Sequence, residues 1–67
     1  MKMTITKIDL INLGYKENTA RTIIRQAKDI MVQRGYPLYE NKRLGRVPIG
    51  VVEEIIGCSL NGGTNNG

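Results

Sequence analysis

The run Asn18-Thr19-Ala20-Arg21-Thr22-Ile23-Ile24-Arg25-Gln26-Ala27-Lys28-Asp29-Ile30-Met31 carries one unbroken helical period. Ala20, Ile23, Ile24, Ala27, Ile30 and Met31 recur at spacings of three and four, which gathers them on one face of an α-helix. Glu17 and Asn18 suit the start, the acid by its charge at the positive end of the helix dipole and the amide by capping. Neither glycine nor proline intervenes before Gly35. The pattern therefore predicts about 16 residues of helix, or ~24 Å at 1.5 Å per residue.

On its N-terminal side the chain offers a shorter helix. Thr6 is a good N-cap and Asp9 stands at the third helical position, a shortened capping box. Ile8 with Ile11, and Leu10 with Leu13, are spaced three apart, giving two turns with a wide apolar face that Gly14 ends as the C′ residue. Tyr15-Lys16-Glu17-Asn18 is then a short connection, and two helices joined in this way make a helix-turn-helix.

On the C-terminal side Gly35 punctuates and Pro37 excludes a continued helix. Leu38-Tyr39 and Arg46-Val47 are read as short paired strands around Glu40-Asn41-Lys42-Arg43-Leu44-Gly45, with Asn41 and Gly45 as the turn-competent residues. Pro48 stops the ladder and suits a helix's first turn. Ile49, Val52, Ile55 and Ile56 then keep helical spacing up to Gly57, for a closing helix of about eight residues. The expected fold is mainly α with a small β-hairpin: a winged helix-turn-helix of three helices plus a wing over residues 1–57. Residues 58–67, rich in Gly and Asn, read as a disordered tail.

Sixty-seven residues make one small domain, which buries only about 60% of its unfolded surface and has no room for both a core and a deep substrate cavity. With one cysteine, Cys58, and no histidine, neither an internal disulfide nor a usual zinc set can form. The lack of histidine also excludes Ser-His-Asp and Cys-His nucleophile pairs. Glu53 and Glu54 are adjacent on a helix and point about 100° apart, so they are not a carboxylate pair. The expectation is a binding protein with no catalytic residues, no cofactor and no metal. The N-terminal residues lack the apolar stretch of a signal peptide, and no run approaches the ~20 apolar residues of a membrane span. A cytoplasmic location is expected.

The net charge is +4, but its placement is more informative. Arg21, Arg25, Lys28, Arg34, Lys42, Arg43 and Arg46 lie in the middle of the chain opposed only by Asp29 and Glu40, seven cations against two acids for a local +5. Such a concentrated field attracts polyanions. Arg21, Arg25 and Lys28 fall at i, i+4 and i+7, one stripe roughly 110° around the helix from its apolar face. Asn18, Thr22 and Gln26 lie beside it, and Asp29 is a candidate partner for Arg25. Arg suits guanine and Asn or Gln suits adenine, so the N-terminal half of this helix is the expected reader of base edges. The turn Asn41-Lys42-Arg43-Leu44-Gly45-Arg46 puts three cations within five residues, an arrangement that a phosphate backbone or a narrow minor groove would relieve of its self-repulsion. A solvated amphipathic face and a merely soluble loop tip are the bland alternatives.

Taken in order, Thr6-x-x-Asp9-Leu10, Gly14, Thr19-Ala20-Arg21, a Tyr-containing segment, Lys42-Arg43-Leu44-Gly45-Arg46-Val47-Pro48 and Val52-Glu53-Glu54-Ile55 resemble the excisionase-like winged helix-turn-helix proteins related to the MerR-type DNA-binding domain. The closer likeness, over residues 4–57, is to small proteins encoded beside integrases in integrative elements and prophages of Gram-positive bacteria. The resemblance implies architectural binding of double-stranded DNA near attachment sites, with bending and recruitment of a tyrosine or serine integrase that biases recombination towards excision. By position it assigns the recognition helix to Thr19, Arg21, Thr22 and Arg25, and the wing to Lys42, Arg43 and Arg46. One departure is the long second helix, whose Asp29–Arg34 portion is expected to pack on a second copy or on the integrase.

Two other functions compete. A transcriptional regulator of the same mobile element would use the same fold and the same surface. A protein-interaction module would dock a partner on the amphipathic second helix, with incidental charge. RNA is disfavoured, since three Tyr with no Phe or Trp make a thin stacking platform. A single small module buries only about 600–1,000 Å² on DNA, so self-association on DNA is expected for high specificity.

Overall fold

The computed structural model describes residues 3–60. Thr6 opens the first helix as its sequence requires. Its Oγ1 accepts the Asp9 amide at 3.3 Å, and its own amide donates to Asp9 Oδ2 at 2.9 Å, so the shortened capping box is complete. Helix α1 then runs Lys7–Asn12. At its end the Gly14 amide donates to the Ile11 carbonyl (2.9 Å) and the Tyr15 amide to that of Leu10 (3.1 Å). These are the two bonds of a Schellman motif, and they need the left-handed backbone that Gly14 adopts at φ 110°.

Helix α2 spans Glu17–Gln33, 17 residues against the expected 16 or so. It begins at Glu17, one residue before the Asn18 start that the sequence pattern predicts. Lys16 is the N-cap, since the Ala20 amide reaches its carbonyl at 2.8 Å, and its ammonium has no acceptor with which to make a side-chain capping bond. Asn18 therefore lies inside the first turn rather than capping it. A second Schellman pair ends α2, from Gly35 to Val32 (3.0 Å) and from Tyr36 to Met31 (3.0 Å), with Gly35 at φ 100°. The closing helix, α3, is Ile49–Ile56.

The three helices and a two-stranded antiparallel pair give the expected class, a small mainly helical domain consistent with a winged-helix-like fold. The first strand is not where the sequence put it. Strand β2, Arg46–Pro48, pairs with β1, Thr4–Thr6, in the register Thr4↔Pro48, Ile5↔Val47, Thr6↔Arg46. The Ile49 amide adds one more bond, to the Met3 carbonyl at 3.1 Å. Leu38-Tyr39 instead belongs to a single 3₁₀ turn, Pro37–Glu40, held by Tyr39 to Tyr36 and Asn41 to Leu38 amide–carbonyl bonds of 3.2 Å each. Pro37 stands at its first position, where a fixed φ and a missing donor do no harm. Thr4-Ile5-Thr6, β-branched at every residue with only Ile5 turned inward, is the better strand former.

The core is Ile5, Leu10, Ala20, Ile23, Ile24, Ala27, Met31, Val47, Val51 and Val52, drawn from all three helices and both strands. Ala20 and Ala27 are fully buried, which lets neighbouring elements approach α2 closely. Ile8 and Leu13, expected on the apolar face of α1, are exposed instead. A helix of six residues has room to bury one face, and Leu10 takes it. One face of the far end of α2 is covered by the chain itself, while Asp29, Gln33 and Arg34 stay exposed. Ile30 and Met31 join the core, and Arg34 pairs with Glu54 of α3 at 2.7 Å. At the C-terminal end the Leu60 amide donates to Glu53 Oε2 at 2.9 Å, and Leu60 packs on the core, so the folded chain reaches past Gly57. The rest of the expected tail, 61–67, lies outside the described residues. Among those residues no helix is long and apolar enough to cross a membrane.

Candidate nucleic-acid interface

The hydrophobic face of α2 is fixed by the core, and this fixes what the opposite face presents. Arg21 and Arg25 are exposed and Lys28 is half-buried along one stripe, while Asn18, Thr19 and Thr22 are exposed on the first turns. Part of that polar inventory is already engaged. Thr22 Oγ1 donates to the Asn18 carbonyl at 3.0 Å, four residues back.

The cationic turn is built on Asn41. Its carbonyl accepts the Leu44 amide at 3.1 Å and its Oδ1 accepts the Arg43 amide at 2.9 Å. Asn at the first position of a β-turn does this routinely, because its side chain copies the backbone acceptor. Lys42 and Arg43 thereby occupy the two central positions and stand exposed. Lys28 Nζ donates to the same Asn41 carbonyl at 2.7 Å, tying the turn to α2.

Between α2 and the 39–45 segment runs an open groove of about 850 Å³. Lys7, Arg21, Arg25, Lys28 and Lys42 line it, opposed by Asp29 and Glu40, and its apolar lining is Ile24, Val32, Tyr39 and Leu44. The two basic groups that the sequence presents separately thus share one concave surface through Lys42. Cations on a low-dielectric concave wall reinforce one another's field outside the protein. Arg43 and Arg46 do not line the groove. Arg46 begins β2, and its Nη1 lies 3.5 Å from Thr4 Oγ1. Asn18, Thr19 and Thr22 also lie off the groove.

Lys7 is the residue that sequence reading missed. It opens α1, well before the groove's other cations in the chain, and no local spacing links it to them. It lies near them through Glu17, whose Oε2 is 3.4 Å from Lys7 Nζ and 3.7 Å from Arg21 Nη2. Both pairs are exposed, so each contributes at most about 1 kcal/mol and is readily exchanged for another anion. Arg25 forms no ion pair with Asp29, and among the described residues neither its guanidinium nor the side-chain cations of Lys42 and Arg43 have a carboxylate partner.

A family model described as a domain of unknown function, DUF3173, matches residues 3–60. The chain belongs to the DUF3173 family. The match begins just before β1 and ends at Leu60, so the DUF3173 unit includes both strands, the basic groove and the Glu53–Leu60 contact that closes the fold. No curated protein and no solved structure matches this DUF3173 chain.

Proposed function

We propose that the protein is a sequence-specific, architectural binder of double-stranded DNA, acting as an excisionase or recombination directionality factor beside an integrase. The observation that carries this reading is the convergence of Arg21, Arg25 and Lys42 on one groove between a helix and a turn. A phosphate ridge seated there would be neutralised from both sides. The exposed first turns of α2, with Asn18, Thr19 and Thr22, would then face base edges, and Arg43 and Arg46 would follow the backbone beyond the groove. The work asked of these groups is binding rather than catalysis, which needs no cofactor and suits a cytoplasmic protein. The excisionase role itself, with its integrase partner and self-association on DNA, rests on the family resemblance of the sequence. A transcriptional role would use the same surface.

Fluorescence anisotropy on an attachment-site duplex and a random duplex, across a salt series, tests the reading. Four to six phosphate contacts give a slope of log K against log salt of about −3.5 to −5.5. Preference for the attachment site within that range supports it, and excision assays with the integrase then separate excision from transcription. Absence of binding at low salt overturns it.

The apolar part of the groove, with Ile24, Val32, Tyr39 and Leu44, favours a second reading in which a protein segment docks there. Under that reading Arg21→Glu and Arg43→Glu variants would keep partner binding intact.

A further inference from the structure

Lys28 differs from its neighbours on the basic stripe. Arg21 and Arg25 are exposed, whereas Lys28 is half-buried and its ammonium is committed to the Asn41 carbonyl at 2.7 Å, the short distance of a charge-assisted hydrogen bond. The turn it holds has little else to fix it. Because β2 pairs with β1, the turn is not the tip of a β-hairpin. Its other hydrogen bonds stay local, one to the adjoining 3₁₀ turn (Asn41 to Leu38) and two within itself: Leu44 to Asn41, and Arg43 to the Asn41 side chain. Among the described residues, the Lys28–Asn41 bond is the one hydrogen bond joining residues 41–45 to anything beyond the adjoining 3₁₀ turn. Tyr39 packs against the core next to it, but apolar contact is less directional.

We propose that Lys28 is a positioning residue for the DNA interface rather than one of its phosphate contacts. By gripping the Asn41 carbonyl it sets where Lys42 and Arg43 stand relative to Arg21 and Arg25, and so sets the spacing at which the two sides of the groove meet a phosphate backbone. This inference rests on the DNA-binding reading for its consequence, but the latch itself is a property of the free protein.

The test therefore has two arms. In the first, backbone amide order parameters are measured by NMR on the free protein and on Lys28→Met, which keeps the aliphatic stem and removes the ammonium. Residues 42–45 should fall from the rigid range of about 0.85 to below about 0.6, while α2 and α3 are unchanged. In the second arm, duplex affinity is measured for Lys28→Met alone and in a Lys42→Gln/Arg43→Gln background. A latch acting through the turn gives a several-fold loss alone, the scale of an exposed hydrogen bond from a charged group, and almost none in the neutralised background. Arg25→Gln should lose the same factor in both backgrounds. Unchanged order parameters overturn the proposal, as does an equal Lys28→Met loss in both backgrounds, which would mark a direct phosphate contact. If the wild-type protein binds no duplex, the DNA reading fails and the first arm alone decides whether Lys28 is the latch.

Discussion

Ile5 and Val47 face each other across the two-stranded pair and both enter the core, at 3% and 0% exposure. Through them the N-terminal segment closes the sheet that anchors the exit of the cationic turn. Ile5→Ala should therefore destabilise the domain by about 2–5 kcal/mol, the usual result of truncating a buried aliphatic side chain. In a domain this small such a loss approaches the whole margin. Chemical denaturation checks it, and the mutant's duplex affinity should fall with the folded fraction.

Gly14 and Gly35 can be tested separately from packing, because a Cβ at either would meet nothing within 4 Å. Alanine at either position should cost about 1–2 kcal/mol from left-handed backbone strain alone, and Gly14→Asn less, since Asn visits that region more readily. Thermal denaturation of the three variants separates these outcomes. An unchanged Gly14→Ala midpoint would contradict the Schellman assignment.

Thr6→Ala removes the hydroxyl half of the capping box and should lower stability by about 1 kcal/mol. Helix α1 has only six residues, so the loss should appear as selective fraying there. Faster amide hydrogen exchange in α1 than in α2 is the expected sign.

These cap and glycine positions were legible because each is a local event. Thr6 with Asp9, and Gly14, Gly35 and Gly57 after their helices, announce themselves within one turn of chain. The period of Ala20 to Met31 likewise predicted α2 to within a residue or two. What failed was non-local. A three-residue strand carries no period, and Thr4-Ile5-Thr6 finds its partner some forty residues away. Pro37 fits a strand edge and a 3₁₀ start equally well, so local sequence does not separate the two for Leu38-Tyr39. The interface divides in the same way. The i, i+4, i+7 spacing exposed Arg21, Arg25 and Lys28, but only the tertiary fold brings Lys42 and Lys7 beside them. The commitment of Lys28 to a backbone carbonyl has no signature in sequence.

Glu17 sits between Lys7 and Arg21 and offsets part of their charge. Glu17→Gln should tighten binding to any duplex several-fold by removing one carboxylate from the proposed DNA surface, with little gain in sequence preference. It should also cost roughly 0.3–1 kcal/mol of stability, because an acid is lost from the first turn of α2. Anisotropy and thermal denaturation on the same variant check both.

Among the described residues Arg25 has no carboxylate partner to leave, so its removal should read out cleanly. Arg25→Gln should weaken duplex binding and reduce the magnitude of the salt slope by about 0.9, the signature of one lost phosphate contact. A slope unchanged from wild type, with weaker binding, would assign Arg25 to base contact instead.

In the proposed function α2 and the cationic turn meet duplex DNA together. An NMR titration of isotope-labelled protein with attachment-site duplex tests it most directly. Amide shift changes are expected along Asn18–Lys28 and Asn41–Arg46, with those of α3 nearly still. Changes confined to α3 or to the exposed Tyr36 and Leu38, or no change at low salt, would contradict it.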